Sequence, residues 1–265
     1  MTTEIPTLPV FRLHSGTAPL LISLPHDGSA IPDALAARMT PEARRAPDTD
    51  WHVSRLYAFA RVLGASILVP SYSRYVIDLN RPPDDVSLYP GQNTTGLCPL
   101  VRFSGDPVYL PGEEPAPEEI AARVETWWRP YHDALRGELD RLRAEHGRVR
   151  LWEGHSIRGE CPFLFEGRLP DFNLGTAAGA SCAPALQVRL EAVLAAQAGD
   201  DWVSNGRFKG GHITRHYGDP ANGIDAVQLE ISQRIYMDED SFEYDEARAE
   251  DTQRVLRALL DACLA

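Results

Sequence analysis

Cysteine is scarce in this chain of 265 residues, and none of its copies forms a CxxC pair. This spacing excludes the dense disulfide framework of small secreted proteins and indicates scattered, reduced thiols instead. A chain of this length can bury a sizeable core without disulfide bonds. The four cysteines are Cys98, Cys161, Cys182 and Cys263.

Long apolar runs are also missing, since no stretch approaches the roughly 20 residues that a membrane-spanning helix needs. The first 16 residues contain no basic segment followed by an apolar run, so no secretory signal peptide is visible. We therefore expect a cytoplasmic protein that has no membrane partner.

Positive charge is in short supply, because 26 lysines and arginines face 38 aspartates and glutamates, for a net charge of −12. A nucleic-acid partner is therefore not expected, since phosphate binding needs clustered basic residues. A small anionic substrate remains possible if a few arginines act locally. The candidates are Arg74, Arg81, Arg207 and Arg215.

The apolar residues form short runs that alternate with helical patterns, which predicts an α/β fold around a mostly parallel or mixed sheet. No internal repeat or linker is visible, so we expect a single domain over residues 1–265. Residues 81–118 are rich in proline and glycine and predict a long loop. Strands are predicted at 20–24, 66–69, 75–79, 149–152 and 226–231. Helices are predicted at 50–63, at 118–145 with a kink or break at Pro130, from about Ala183, and at 245–264.

Polar residues cluster where these predicted strands end. His26 follows the first strand, His155 follows the run at 149–152, and Asn80-Arg81 follow the run at 75–79, which contains Asp78. Glu230 lies inside the last apolar strand. Ligands bind beyond the carboxyl ends of parallel strands, so these residues are expected at one edge of the sheet. Two histidines and a carboxylate are the usual ligands of a catalytic zinc ion, and a nearby glutamate can transfer protons.

Each of these residues also has a structural interpretation. His26 and His155 could be hydrogen-bonded structural histidines, and Glu230 could pair with an arginine in the segment 207–215. His132 could support the site or simply pack within its helix. Residues 205–220 combine glycines with Arg207, Lys209 and Arg215, which is typical of an anion-binding loop but also of a basic surface loop.

Two further functional hypotheses remain. The chain could bind a metal or an acidic ligand without turnover, although Glu230 beside a ligand set argues against this. It could also be a thiol amidase that uses Cys161 or Cys182, although nothing in the sequence marks either thiol as activated.

Taken together, the motifs resemble the N-formylglutamate amidohydrolase family. They spread over most of the chain in the order that the family shows. The segments are LPHDG (24–28), DTDWHVSRLY (48–57), SRYVIDLNRP (73–82), GHSI (154–157), LFEGRLPDFNLGT (164–176), NGRFKGGHITRHYGDP (205–220) and VQLEIS (227–232).

This family is distantly similar to zinc carboxypeptidases, so the resemblance implies a single three-layer α/β/α domain. It implies a zinc ion, or another divalent metal, held by His26, His155 and an acidic ligand that we assign to Asp50, with Asp48 as the alternative. Glu230 would be the general base. Glu153 stands where an aspartate is expected, two residues before the second histidine.

The resemblance also implies the reaction, which is hydrolysis of N-formylglutamate to formate and L-glutamate. Asn80 and Arg81 would bind a substrate carboxylate, and Arg207 and Arg215 are further candidates for this role. The alternative is a zinc-dependent deacylase or amidase that acts on another N-acyl amino acid. The oligomeric state is not predicted.

Overall fold

A seven-stranded mixed sheet organises the protein in the computed structural model, which describes residues 7–88, 91 and 93–265. The strands are β1 (Phe11–His14), β2 (Leu20–Ser23), β3 (Ser66–Pro70), β4 (Val149–Ile157), β5 (Phe172–Gly175), β6 (Trp202–Ser204) and β7 (Ile224–Ser232). Their order in the sheet is β1-β3-β2-β4-β7-β5-β6. β1 pairs antiparallel with β3 and β5 pairs antiparallel with β7, whereas the other pairs are parallel.

Helices cover both faces of this sheet, which confirms the predicted three-layer α/β fold. The α-helices are α1 (Asp33–Ala36), α2 (Val53–Leu56), α3 (Pro117–Arg123), α4 (Arg129–His146), α5 (Pro184–Gln197), α6 (His212–Tyr217) and α7 (Glu246–Leu264). One face of the sheet packs against α5 and α7 through leucines such as Leu190 and Leu256, and the other packs against α4 through Leu135 and Leu139. Every residue of β2, β3 and β7 is buried, because a strand covered on both faces has no solvent side.

The predicted strand at 75–79 is wrong, because this segment is a series of turns. Its carbonyl groups accept hydrogen bonds from side chains of the helical region instead of from a neighbouring strand. Arg123 Nη1 donates to the carbonyl of Val76 at 2.9 Å, and His132 Nε2 lies 2.9 Å from the carbonyl of Leu79. Buried carbonyls are thus satisfied without a β-ladder.

The predicted helix at 118–145 is interrupted, as Pro130 suggested. A π-helical turn, Val124–Trp128, separates α3 from α4, and Pro130 lies in the first turn of α4. Proline inside a helical stretch removes one backbone hydrogen bond and clashes with the preceding turn, and the irregular π-helical turn lies immediately before it. The helices predicted from about Ala183 and over 245–264 are confirmed as α5 and α7.

The helix predicted at 50–63 is wrong in its extent. In the structure this segment contains only the single helical turn α2, which follows His52 with its φ of 64°, and a 3₁₀ turn, Ala58–Arg61. The three short strands β1, β5 and β6 were not predicted. In the part of the chain that the structure describes, no helix is long and apolar enough to span a membrane.

Candidate metal and active site

Three parallel strands bring the polar residues to one edge of the sheet. His26 follows β2, whereas His155 lies within β4, since that strand continues to Ile157. Glu230 lies directly opposite His155 on the neighbouring strand β7. Gly154 precedes His155, and a Cβ at this position would lie 2.7 Å from a side-chain carbon of Leu24. Glycine therefore lets β4 approach the loop that carries His26.

His26, Asp50 and His155 form a buried group whose potential ligand atoms all lie within 4.8 Å of one another. Asp50 Oδ2 is 2.9 Å from Nδ1 of His155 and 3.8 Å from Nδ1 of His26. Of the two carboxylates considered from the sequence, Asp48 lies outside this group. Its Oδ2 accepts hydrogen bonds from the hydroxyl of Tyr75 at 2.6 Å and from the backbone N–H of Phe103 at 2.8 Å.

Each histidine also contacts a second carboxylate through its other ring nitrogen, Nε2. Nε2 of His26 lies 2.7 Å from Oδ1 of Asp78, and Nε2 of His155 lies 2.7 Å from Oε1 of Glu153. These contacts occupy Nε2 of both rings, so the Nδ1 atoms are the ones that face Asp50. A histidine whose far nitrogen donates to a carboxylate is held in the orientation and tautomer that a metal site requires.

The charges of this group interact strongly. Burial lowers the pKa of His155, but the hydrogen bonds to Asp50 and Glu153, together with the charges of these carboxylates, outweigh burial and raise this pKa well above its usual value. Burial raises the pKa of Asp50, but the hydrogen bond to His155 and the charges of His26, His155 and Arg74 together outweigh burial, so the pKa of Asp50 is lowered. Burial and the charge of Arg74 both lower the pKa of His26.

Glu153 connects the group to the glycine-rich segment. It is fully buried, and its Oε2 accepts hydrogen bonds from the backbone N–H of Thr214 at 3.0 Å and from the Thr214 hydroxyl. Asn80 also donates to Glu153 through Nδ2, and its Oδ1 accepts the N–H of Ile213 at 2.9 Å. Both polar ends of the Asn80 side chain are thus already engaged within the protein, although Asn80 borders the cavity.

A cavity opens onto this group and contains most of the residues singled out from the sequence. Arg81 and Arg207 line it, whereas Arg215 is exposed on α6 and is not among the lining residues. Nε of Arg215 donates to the carbonyl of Gly210 at 2.8 Å. The lining residues also include His26, Asp50, Arg74, Asn80, Phe103, His155, Gln228 and Glu230.

Glu230 is the acidic residue of the cavity wall that has no ion-pair partner within 4.0 Å among the described residues. The sequence-based alternative, an ion pair with an arginine of 207–215, therefore finds no support in the described contacts. Burial raises the pKa of Glu230 to about 8. A carboxyl group with a pKa in this range can both accept and release a proton near neutral pH.

The cysteines lie outside this arrangement. Burial raises the pKa of Cys161 to about 12 and that of Cys182 to about 11, so both favour the thiol form. Neither lines the cavity. A nucleophilic thiolate needs a lowered pKa, and the thiol amidase hypothesis therefore has no support.

Several residues of the site were not assigned from the sequence. Asp78 was noted only as part of a strand, Arg74 only as one of several cations, and Thr214 and Gln228 not at all. Gln228 Oε1 accepts the N–H of Gly211 at 2.7 Å. Its position in an apolar strand, two residues before Glu230, is the signal that could have identified it.

Comparison with known proteins identifies the family of this chain. The family model for N-formylglutamate amidohydrolase matches residues 18–237. Two proteins named N-formylglutamate deformylase, from Pseudomonas putida and Pseudomonas aeruginosa, are 56% and 54% identical over 257 residues, which cover 97% of this chain and 96% of each relative.

Solved structures are similar as well. The crystal structure of N-formylglutamate amidohydrolase from Ralstonia eutropha JMP134 has a TM-score of 0.81 at 27% identity and covers 96% of this chain and 97% of that one. A gene product of Agrobacterium tumefaciens, 18% identical with a TM-score of 0.69 and 96% coverage of both chains, shares the fold. This chain therefore belongs to the N-formylglutamate amidohydrolase family.

Proposed function

We propose that this protein hydrolyses N-formyl-L-glutamate to formate and L-glutamate with the help of a divalent metal, most simply zinc. The observation that carries the proposal is the buried group of His26, Asp50 and His155 with Glu230 opposite His155 on the next strand. The names of the two Pseudomonas relatives supply the substrate.

The donor set fits a zinc ion. Two imidazoles and one carboxylate are a usual protein ligand set for catalytic zinc, and each imidazole here has a carboxylate behind it. His26, Asp50 and His155 would hold the metal. A zinc ion in this position would polarise the formyl carbonyl and bring the pKa of a water molecule close to neutrality.

Glu230 would move the proton. Its carboxylate would accept a proton from the attacking water while the oxygen of that water bonds to the formyl carbon. It would then release the proton to the amide nitrogen as the carbon–nitrogen bond breaks, so that formate and L-glutamate leave. The raised pKa of Glu230 suits both steps, because neither protonation state is strongly disfavoured near neutral pH.

Arg81 and Arg207 would bind the two carboxylates of the substrate. Both line the cavity, and both are held by backbone carbonyls of neighbouring loops. Arg81 Nε donates to the carbonyl of Thr95 at 2.8 Å, and Arg207 Nη2 donates to the carbonyl of Asn93 at 3.1 Å. These carbonyl contacts orient both guanidinium groups, and a dianionic substrate in an acidic protein requires local cations of this kind.

Purified protein should release formate from N-formylglutamate, lose this activity after chelation, and regain it with zinc. N-acetylglutamate and N-formylaspartate serve as comparison substrates, and a Cys182→Ala variant serves as a control that should retain activity. Faster turnover of another N-acyl amino acid would replace the proposed substrate but keep the metal chemistry. Full activity in metal-free protein would exclude the mechanism.

A further inference from the structure

Asp50 differs from the two histidines of the metal group in the kind of backbone that carries it. His155 is part of β4 and His26 follows β2, whereas Asp50 lies in a loop, outside any helix or strand. The backbone N–H of Asp50 donates to the carbonyl of His26 at 3.0 Å. A ligand on a loop is placed less precisely than one on a strand unless other contacts fix the loop. The contacts on either side of Asp50 therefore decide how well the metal group is formed.

The two peptide groups that flank Asp50 are held by the segment directly after β7. Gln233 begins a 3₁₀ turn there, and Tyr236 follows this turn; both side chains are buried. Nε2 of Gln233 donates to the carbonyl of Thr49 at 3.1 Å. The hydroxyl of Tyr236 donates to the carbonyl of Trp51 at 2.8 Å. The loop is thus attached to the segment after β7 on both sides of its carboxylate residue.

The Tyr236 hydroxyl has a second partner, on β4. It lies 2.7 Å from Oγ of Ser156, the residue after His155. A hydroxyl has one proton and a carbonyl can only accept, so Tyr236 donates to Trp51 and accepts from Ser156. Burial raises the pKa of Tyr236 well above its usual value, so the hydroxyl keeps this proton at neutral pH. One hydroxyl therefore joins the residue that follows Asp50 to the residue that follows His155.

Ser156 also contacts the carboxylate of Asp50 through its backbone. Its N–H donates to Oδ2 of Asp50 at 3.1 Å, and the same oxygen lies 2.9 Å from Nδ1 of His155. The position of this oxygen relative to the imidazole depends on how closely the loop is held against β4. The bridge through Tyr236 makes that attachment beside the contact itself.

We propose that Tyr236 is a positioning residue that fixes Asp50 relative to His155 and thereby sets the zinc affinity of the metal group. This inference rests on the proposed function, because it takes the group to be a metal site. Tyr236 is not among the residues that line the cavity, so its replacement should act on metal binding and not on substrate binding. Replacing residues that orient metal ligands lowers metal affinity by about 10- to 100-fold.

The test is the zinc dissociation constant, measured without substrate by competition with a chromogenic chelator. Tyr236→Phe keeps the ring and removes the hydroxyl, so this constant should rise by ~10-fold or more. At saturating zinc, the variant should keep the KM of the unmutated enzyme for N-formylglutamate. Tyr244→Phe is the matched control and should leave zinc affinity unchanged. The Tyr244 ring centre lies 6.3 Å from that of Tyr236, and its hydroxyl makes no hydrogen bond among the described residues.

A double-mutant cycle tests the connection to β4. Ser156→Ala removes the hydroxyl that donates to Tyr236 but keeps the backbone N–H that contacts Asp50. It should also weaken zinc binding, and the double variant should lose less affinity than the two single losses multiplied, because both substitutions break one bridge. The absorption spectrum of bound cobalt(II), which reports the geometry of the ligands, should change in Tyr236→Phe and not in Tyr244→Phe. Circular dichroism and the Tm establish that each variant is folded.

Three results would overturn the inference. An unchanged zinc affinity in Tyr236→Phe, whatever its Tm, would mean that the hydroxyl only stabilises the fold. An equal loss of affinity in Tyr244→Phe would mean that any change among these aromatic rings has the same effect. Independent effects of Tyr236→Phe and Ser156→Ala would show that the bridge to β4 does not position Asp50.

Failure of the proposed function gives a different pattern, because the zinc measurement needs no substrate. If the unmutated protein binds no zinc, the proposed metal site and this inference are both wrong. If it binds zinc but releases no formate, only the proposed reaction is wrong.

Discussion

His132 should make the stability of this protein depend on pH, and its replacement should remove part of that dependence. The ring is 4% exposed, stacks on Trp128 with 3.7 Å between ring centres, and lies 2.9 Å from both the Leu79 carbonyl and the Tyr217 hydroxyl. A neutral imidazole satisfies both contacts, donating from Nε2 to Leu79 and accepting at Nδ1 from Tyr217. Burial lowers the pKa of His132 from 6.5 to about 3.

The sign and size of the effect follow from these values. Because the pKa is lower in the folded state, the unfolded chain binds more protons, and stability is lost as the pH falls below 6.5. The contribution is fully present above this pH. Between about pH 7.5 and about pH 5 the loss from His132 amounts to about 2 kcal/mol. It should increase further down to a pH of about 3.

The assay is urea unfolding of metal-free protein, followed by far-ultraviolet circular dichroism at several pH values. His132→Phe keeps the aromatic stack but cannot be protonated, so its free energy of unfolding should fall by about 2 kcal/mol less than that of the unmutated protein over this pH range. Tyr217→Phe is the matched control, since it removes one hydrogen bond and keeps the imidazole. Parallel curves for the unmutated protein and His132→Phe would refute the reasoning.

Three predictions concern the site itself. His26→Ala or His155→Ala should lose bound zinc and nearly all turnover, because each substitution removes a metal ligand. Metal analysis and formate release measure the two effects. A normal zinc content would contradict the ligand assignment. Glu230→Gln should keep zinc and KM but lower kcat by ~10²-fold or more, whereas an unfolded variant with normal activity per folded molecule would indicate a structural role. Arg81→Lys should lower kcat/KM for N-formylglutamate by about ten- to a hundred-fold, because lysine keeps the charge but loses the planar fork. N-formylglutamine should be a poor substrate of the unmutated enzyme. Equal turnover of both substrates would show that the side-chain carboxylate is not recognised.

The sequence predicts the central strands and the residues at their ends because both depend on local patterns. β2, β4 and β7 are buried on both faces, so their apolar runs stand out without knowledge of the fold. A histidine directly after such a run, or a glutamate inside it, is equally visible. This is why His26 and Glu230 could be placed at one sheet edge from the sequence alone.

The rest depends on contacts between distant parts of the chain. Asp48 and Asp50 are two residues apart in one loop, and only their partners separate them: Asp48 meets Tyr75 and Phe103, and Asp50 meets the histidines. Residues 75–79 form an apolar run like that of a buried strand, yet their carbonyls are held by side chains of α3 and α4, which periodicity does not reveal. Arg74 was one cation among several, because its burial is a property of the folded site.

The π-helical turn between α3 and α4 sets the relative positions of the helix side chains that hold residues 76–81. Arg123 precedes the turn, Trp128 ends it and His132 follows it, and all three hold carbonyls within residues 76–81; Trp128 Nε1 donates to that of Arg81 at 3.0 Å. A regular α-helix advances 100° per residue, so deleting one residue of the turn would rotate α3 by about 100° relative to α4. Arg123 would then point away from Val76 while His132 still faced Leu79. Homologues with a one-residue gap here would need a differently anchored loop, which makes the length of this turn a marker for the geometry of the site.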